Sequence, residues 1–565
     1  AQFEKFAAMD GGSGGTLSGP HAFMLYDTFG FPVDLTLLMA EEKGMTVDSE
    51  GYEAAMELQK KRSKGEAKEG EVVLVLEAEQ TDKLANELAV PPTDDAAKYD
   101  WKAAGSGPKM SVTLKAIWDG KNFLQEAAEG TLVGLIFDKT NFYAEAGGQL
   151  FDMGRVTTAD GSVVPILNCQ KFGAYILHSG SLGAGAMKVG DEVELDVDYE
   201  RRSHIAANHT STHLLNWALR KVLAGSLIDQ RGSIVAPDKL RFDFSYGKPM
   251  KTEEVAQVQN LVREIIAGGY DIHKQECALP AAKQVKTLRA VFGEVYPDPV
   301  RVVTVGPVDH TIDKLLADPE NEQWNSLSVE FCGGTHMDNT KEASTFAIIG
   351  EEGTAKGVRR LVAVTKDAAR VAQEAANDFD KRVERAGELT DTQALDEEVS
   401  KMRKEVDEIT MDYVRKDAIK AAIDKLKEKV LAAEKELIKA KTEGAVEWAK
   451  SLDVAGKPFM VEVVDVEGDV KAMDAAMKVI NTAAPDTPVC FLSKSAKGDK
   501  VSCLAVVPKA VAGKLDAKDW INVALEQCGG KGGGKPDRAQ GAAKDASKFA
   551  AALEAAKGYP AGKVQ

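Results

Sequence analysis

Two short stretches of this chain carry residues able to hold a metal ion. Residues 208–219 read NHTSTHLLNWAL, with His209 and His213 four apart in a helical pattern. At roughly 3.6 residues per turn the two side chains stand about 40° apart, so both imidazoles can reach one ion. Leu214, Leu215, Ala218, Leu219 and Val222 occupy the other side and form the stripe that packs inward. Taken alone the pair is a weak signal, because two histidines at this spacing also occur without a ligand role. The second stretch is EFCGGTHMD, where Cys332 and His336 flank Gly333 and Gly334. Two glycines allow a sharp backbone fold at a strand end, which turns a thiolate and an imidazole toward the same point. The two pairs together offer three imidazole nitrogens and one sulfur, suited to one Zn2+ per chain and not to Mg2+ or Ca2+, which take oxygen. Four protein donors suit a closed structural ion as well as a catalytic one, and the donor set does not choose between them.

The elements that must position these residues follow from changes of texture along the chain. Residues 1–105 are mostly helical in pattern, with 51–70 reading as an amphipathic helix that decays into a charged stretch. Residues 106–197 are short alternating runs such as VTLKAIW and EVELDVD between glycine turns, which predicts a small β-barrel or sandwich. Residues 198–366 mix helices with strand-like runs, an α+β core that holds both metal-binding motifs. Residues 367–455 are almost free of glycine and proline and rich in Ala, Glu, Lys and Leu, predicting a long helix pair or short coiled coil. Residues 456–565 alternate strands and helices as a C-terminal α/β domain that ends in a glycine loop and a helix. The expected class is α+β and multidomain.

Composition narrows the setting. A chain of 565 residues exceeds one core. It has no apolar run of bilayer length and no signal-peptide pattern at its start, so membrane partners are not expected. Six scattered cysteines argue for a reducing, intracellular compartment. A net charge of −17 disfavours DNA and restricts any RNA contact to local basic patches. The chain opens on Ala1 in mid-pattern, as a portion of a longer protein would.

One such patch is GGKGGGKP at 529–536. Its spacing matches a phosphate-binding P-loop, but Pro536 stands where a Ser or Thr must hold Mg2+, and a helix precedes it where a strand belongs. Nucleotide binding is therefore rejected here. From 529 to 548, Lys531, Lys535, Arg538, Lys544 and Lys548 face only Asp537 and Asp545, a local net of +3 that suits an RNA backbone.

NHTSTHLL, DQRGSIVAPDKLRFDFSY and VEFCGGTH closely resemble the editing domain of the alanyl-tRNA synthetase family, a domain also found free-standing. LYDTFGFPVDLTLLMAEEKG is similar to the end of that family's tRNA-recognition region, FYAEAGGQLFDMG to its barrel, and GGKGGGKPDRAQGA to its C-terminal, DHHA1-like domain. The wording of the motifs is of the eukaryotic type. No class II aminoacylation core, with its ATP, Mg2+ and alanine sites, is placed by these motifs, so the expectation is a carboxy-terminal portion.

The resemblance implies hydrolysis of tRNA(Ala) wrongly charged with serine or glycine, while the parent protein attaches alanine using ATP. A site sized for alanine rejects glycine and serine poorly, so a second site must clear the errors. By motif matching, His209, His213, Cys332 and His336 hold the zinc, and Thr212 and Gln230 act in the amino-acid pocket. Glu145, Gly147 and Gly148 border the entrance, and Arg359, Arg360, Lys531, Lys535 and Arg538 contact tRNA. Self-association through 367–565 and a cytoplasmic setting, with mitochondrial or plastid alternatives, complete the expectations. The rival readings are a tRNA-binding module with a structural zinc and a free-standing editing hydrolase.

Overall fold

A computed structural model of the chain describes residues 2–10, 12, 14–27, 33–49, 51–53, 74–102, 105–226, 228–290, 294–495 and 497–564. These form two compact units, one of residues 1–381 with 406–420 and one of 382–405 with 421–565. The helix expected over 51–70 lies, from residue 54 on, outside the described residues.

In the first unit, helices Gln2–Met9, Gly19–Asp27 and Val33–Glu42 accompany a parallel pair of two-residue strands, β1 (Thr16–Leu17) and β2 (Thr46–Val47). After helix Ala78–Asn86 the alternating runs become β3 (Met110–Trp118), β4 (Phe123–Leu124), β5 (Glu126–Ala128), β6 (Leu132–Phe137), β7 (Gly154–Thr158), β8 (Val163–Phe172), β9 (Tyr175–Ser181), β10 (Ala186–Lys188) and β11 (Glu192–Val197). Strands β3, β6, β9, β8, β7 and β11 pair antiparallel in that order, and β11 pairs back to β3. The ring is a closed six-stranded barrel, which leaves no unpaired edge among those strands. Alternation is what allows it: in β11, Val193, Leu195 and Val197 turn inward while Glu192, Glu194 and Asp196 do not.

A single helix, Tyr199–Val222, leads out of the barrel. Asp198 caps its start by accepting the Arg201 backbone N–H at 2.9 Å, and Arg220 and Lys221 occupy the last turn, where cations suit the helix dipole. A second helix, Thr252–Gly268, packs beside it. Strands β12 (Gln230–Val235), β13 (Leu240–Ser245), β17 (Phe346–Ala355) and β18 (Val358–Thr365) build one antiparallel sheet in the order β12-β13-β18-β17. Strands β14 (His273–Cys277), β15 (Val300–Val305) and β16 (Ser328–Phe331) build a second. The Leu215, Leu219, Phe242, Phe244, Val262 and Phe346 side chains, from both helices and the first sheet, make the common core.

Helix Tyr199–Val222 is buried on more than its apolar stripe. The wheel correctly sets His209 and His213 apart from Leu214, Leu215, Ala218 and Leu219, yet both histidines are buried as well. The barrel loop and the CGGTH turn cover the polar side, a layer that no single helix pattern encodes.

Residues 366–451 form three helices and not the expected pair: Lys366–Gly387, Thr392–Glu408 and Tyr413–Ser451. Aspartates set the breaks, since Asp391 Oδ1 accepts the Gln393 N–H and Asp412 Oδ1 the N–H groups of Val414 and Arg415.

The C-terminal part of the second unit is a five-stranded sheet in the order β19-β20-β21-β23-β22, from β19 (Met460–Val463), β20 (Val489–Lys494), β21 (Val501–Val506), β22 (Lys531–Lys535) and β23 (Arg538–Ala543). Helices Val470–Ala483, Ala517–Glu526 and Phe549–Ala561 pack on it. The expected glycine loop is thus an edge strand. A side chain at Gly532 would meet Ile521 Cδ1 at 2.3 Å, so Gly532 is glycine for close packing. No helix among the described residues is long and apolar enough to cross a membrane.

Candidate metal centre

The four expected donors converge. Cys332 Sγ lies 3.3 Å from His209 Nε2 and 3.2 Å from His336 Nε2, and one ligand atom from each of His209, His213, Cys332 and His336 lies within 4.8 Å of the others. The His336 ring centroid is 4.5 Å from that of His209 and 4.6 Å from that of His213. Donors around a tetrahedral ion with Zn–S and Zn–N bonds of ordinary length stand about 3.5 Å apart, so the two shortest spacings already approach that figure.

The turn that carries Cys332 and His336 is held from several directions. Arg301 on β15 donates from Nη1 to the carbonyls of Cys332 and Gly334, both at 2.9 Å, and Tyr99 Oη donates to the carbonyl of Gly333 at 2.8 Å. The Arg301 guanidinium also sits 4.1 Å from the Tyr99 ring centroid. Neither Gly333 nor Gly334 adopts a left-handed backbone, contrary to the expected reason for glycine here. What Gly334 supplies is space, because a Cβ there would lie 2.1 Å from His209 Cε1.

Outer partners fix the rings. His209 Nδ1 is 2.7 Å from Gln149 Oε1, an oxygen that also accepts the Thr335 N–H at 2.9 Å. His336 Nδ1 is 3.1 Å from Thr210 Oγ1. With the protons on Nδ1, both rings turn an Nε2 lone pair toward Cys332. His213 Nε2 lies 3.9 Å from Glu330 Oε2, while its Nδ1 is buried without a hydrogen-bond partner. An orphaned buried imidazole nitrogen beside three other soft donors fits a metal ion and has no other role in these contacts.

Burial sets the protonation states. It pushes His213 down to about 3 and His209 and His336 well below the ordinary imidazole range, so all three are neutral, the form that ligates. It also pushes the Cys332 thiol up to about 11 and the Glu330 carboxyl up to about 7. A cation at the centre would reverse the penalty on the thiolate.

Other expected site residues stand farther out. The Thr212 hydroxyl donates to the Asn208 carbonyl of its own helix at 2.9 Å, and it is Thr210 that reaches His336. Gln230 Nε2 donates to Ser233 Oγ at 3.2 Å, and a Cβ at Gly148 would meet Ser233 O at 2.5 Å, so β12 and the glycine loop are in tight contact. Glu145 is exposed and accepts from Gln170 Nε2 at 2.8 Å. Gly147 and Gly148 have φ of 58° and 81°, the left-handed conformation that turns Gln149 inward. Arg359 pairs with Glu351, and Arg360 Nε donates to Asp243 Oδ1 at 2.7 Å. Lys531, Lys535 and Arg538 are exposed on the β22–β23 hairpin, with Arg538 paired to Asp474.

Sequence reading misses Gln149, Thr210 and Glu330, although each lies inside a motif that draws attention: AEAGGQ, NHTSTH and VEFCGGTH. Tyr99 and Arg301 carry no local signal.

Comparison with known proteins gives this architecture its place. The family model described as "tRNA synthetases class II (A)" matches residues 3–201, that of the "Threonyl and Alanyl tRNA synthetase second additional domain" residues 300–362, and that of the "DHHA1 domain" residues 456–561. In their order along the chain, these matches place it with the class II aminoacyl-tRNA synthetases that carry a second additional domain. The cytoplasmic alanine–tRNA ligase of Dictyostelium discoideum is 39% identical over 553 residues, covering 95% of this chain and 57% of that protein. The cytoplasmic enzyme of Bombyx mori is 36% identical, covering 97% and 58%, and the mitochondrial one of Saccharomyces cerevisiae 36%, covering 95% and 54%. The chain belongs to the alanyl-tRNA synthetase family and spans somewhat more than half the length of these relatives.

The class II match corrects one expectation. The class II region is not absent from this chain: it runs from residue 3 through the barrel to the start of the histidine helix. Within residues 3–201, LYDTFGFPVDLTLLMAEEKG and FYAEAGGQLFDMG resemble the tRNA-recognition region and the barrel, and no motif as compact as HxxxH or CGGTH marks the class II region itself.

Proposed function

We propose that the metal centre is the editing site of an alanine–tRNA ligase and that it hydrolyses the ester of tRNA(Ala) wrongly charged with serine or glycine. The observation that carries this reading is the convergence of His209 and His213 with Cys332 and His336 in one cluster of three buried imidazoles and a half-buried thiol. Zn2+ is the ion such donors suit; when bound it supplies a Lewis acid able to polarise an ester carbonyl or acidify a water.

The chain's own residues prepare that site. Gln149 and Thr210 orient His209 and His336, and Arg301 and Tyr99 hold the turn that carries Cys332. Thr212 and Gln230 discriminate the amino acid, with Glu145, Gly147 and Gly148 at the entrance. Arg359 and Arg360 serve the terminal phosphates only in exchange for Glu351 and Asp243, whereas Lys531 and Lys535 are exposed and free to approach an RNA backbone.

For the whole protein we propose attachment of alanine to tRNA(Ala) with ATP and Mg2+, in the cytoplasm or an organelle, and self-association through 367–565. The test of the editing claim is release of serine from purified Ser-tRNA(Ala) by the intact chain loaded with Zn2+. Release that falls with His209→Ala supports it. No release by loaded chain that still binds tRNA(Ala) would leave a binding module with a structural ion.

A further inference from the structure

Next to the metal centre, across Glu330, lies a cavity of about 160 Å³. That is roughly ten times what one buried water needs. Trp217, Arg220 and Lys221 border it from the last turns of the histidine helix, and Thr287 and Arg289 from the opposite wall. Residues of β16 border it as well, with the Arg289 backbone N–H bonded to the Val329 carbonyl at 2.9 Å.

The lining is rich in cationic groups and in buried donors left without partners. Trp217 Nε1, Arg220 Nε and Thr287 Oγ1 are buried and have no hydrogen-bond partner. Three cationic side chains border the cavity against one carboxylate, Glu330, and its Oε1 already accepts from Asn216 at 3.0 Å and Ser328 at 3.2 Å. Arg220 is held by donating from Nη2 to Asn216 Oδ1 at 3.0 Å, and the Lys221 ammonium lies 4.7 Å from the Trp217 ring centroid. Unpaired buried donors are costly, and together with guanidinium groups they are matched by an anion that offers only acceptors.

We propose that this cavity is an oxyanion site that takes a phosphate group, either a phosphodiester of an RNA strand or free inorganic phosphate. The strand form rests on the editing reading, because it would anchor an RNA end beside His213; the phosphate chemistry itself does not.

The test uses the full chain at constant ionic strength, titrated with inorganic phosphate against a chloride control. Indole fluorescence is followed, and the Trp217→Phe variant identifies the Trp217 contribution. Saturable binding is expected, weakened about tenfold or more by Arg289→Gln. The exposed Lys239→Gln serves as the unaffected control. A short single-stranded RNA is then bound and challenged with phosphate. Displacement that depends on Arg289 assigns the site to a strand phosphate, and phosphate binding without displacement assigns it to the free ion. No saturable phosphate response, or identical binding by Arg289→Gln, overturns the proposal. Loss of Ser-tRNA(Ala) hydrolysis with phosphate binding intact would count against the editing reading alone.

Discussion

Gln149 Oε1 stands 2.7 Å from His209 Nδ1 and accepts the Thr335 N–H, while Gln149 Nε2 donates to Thr335 Oγ1 at 2.9 Å. One fully buried amide therefore joins the barrel loop, the histidine helix and the CGGTH turn. Replacing it by leucine removes the ring's orienting partner and leaves the Thr335 N–H unpaired. Outer partners of this kind are worth about 10- to 100-fold in metal affinity. Competition of Gln149→Leu with a chromophoric chelator should show such a loss, with the fold retained by circular dichroism; unchanged affinity would remove Gln149 from the design.

Proton release on metal binding follows from the burial of the donors. The Cys332 thiol, raised to about 11, is protonated at neutral pH, whereas His213, lowered to about 3, is already neutral. Binding should release one proton, so the logarithm of Zn2+ affinity should rise with pH at a slope of about one between about pH 6 and 9. Below about pH 6.5 the slope should not steepen, because the buried imidazoles take up no proton there. Calorimetry in buffers of different ionisation enthalpy measures this directly, and Cys332→Ala should abolish the release.

Arg202 and Asp152 form an ion pair that is almost wholly buried, with Arg202 Nε 3.0 Å from Asp152 Oδ2, at the junction of the histidine helix and the barrel. Asp152 also accepts the Tyr143 N–H at 2.7 Å. Arg202→Met strands a buried carboxylate and should cost about 3–5 kcal/mol, read from denaturant unfolding of the first unit. The double variant with Asp152→Leu should recover much of that loss. A cost for the single variant below about 1 kcal/mol would mean that the pair is solvated.

His178 inside the barrel hydrogen-bonds through Nδ1 to the Leu135 carbonyl and through Nε2 to Thr140 Oγ1, and burial lowers its pKa to about 4. The folded value lies below the unfolded one, near 6.5, so stability is complete above pH 6.5 and falls as pH drops toward 4. The loss reaches about 3 kcal/mol. Unfolding measured across about pH 4–7 should show this decline, and the His178 ring signals in NMR should not titrate above about pH 5. A titration midpoint near the ordinary imidazole value would refute the assignment.

Local signals are legible where one element carries them. HxxxH and CxxxH each place two donors through the geometry of one turn, so the four candidate donors are visible without any long-range information. Alternation in β3–β11 likewise announces a barrel or sandwich, because a strand buried on one face must alternate, and the pairing of β11 with β3 makes it a barrel. Local pattern fails where a partner element decides. KGGGK reads as a loop, yet pairing with β23 and packing on Ile521 make it strand β22. The helical stretch after residue 366 reads as two helices, since composition does not mark where Asp391 and Asp412 divide it into three.

By itself, then, the sequence determined which residues can ligate and that alternating strands of a barrel or sandwich precede them, because both depend on spacing along one element. Only the tertiary structure decided that His209, His213 and His336 are buried, that Gln149 and Thr210 orient two of these rings, and that Gly334 is glycine to make room for His209. It also set Trp217, Arg220 and Arg289 around one cavity. Each of these is a contact between segments far apart in the chain, and periodicity within a segment carries no information about what the fold lays against it.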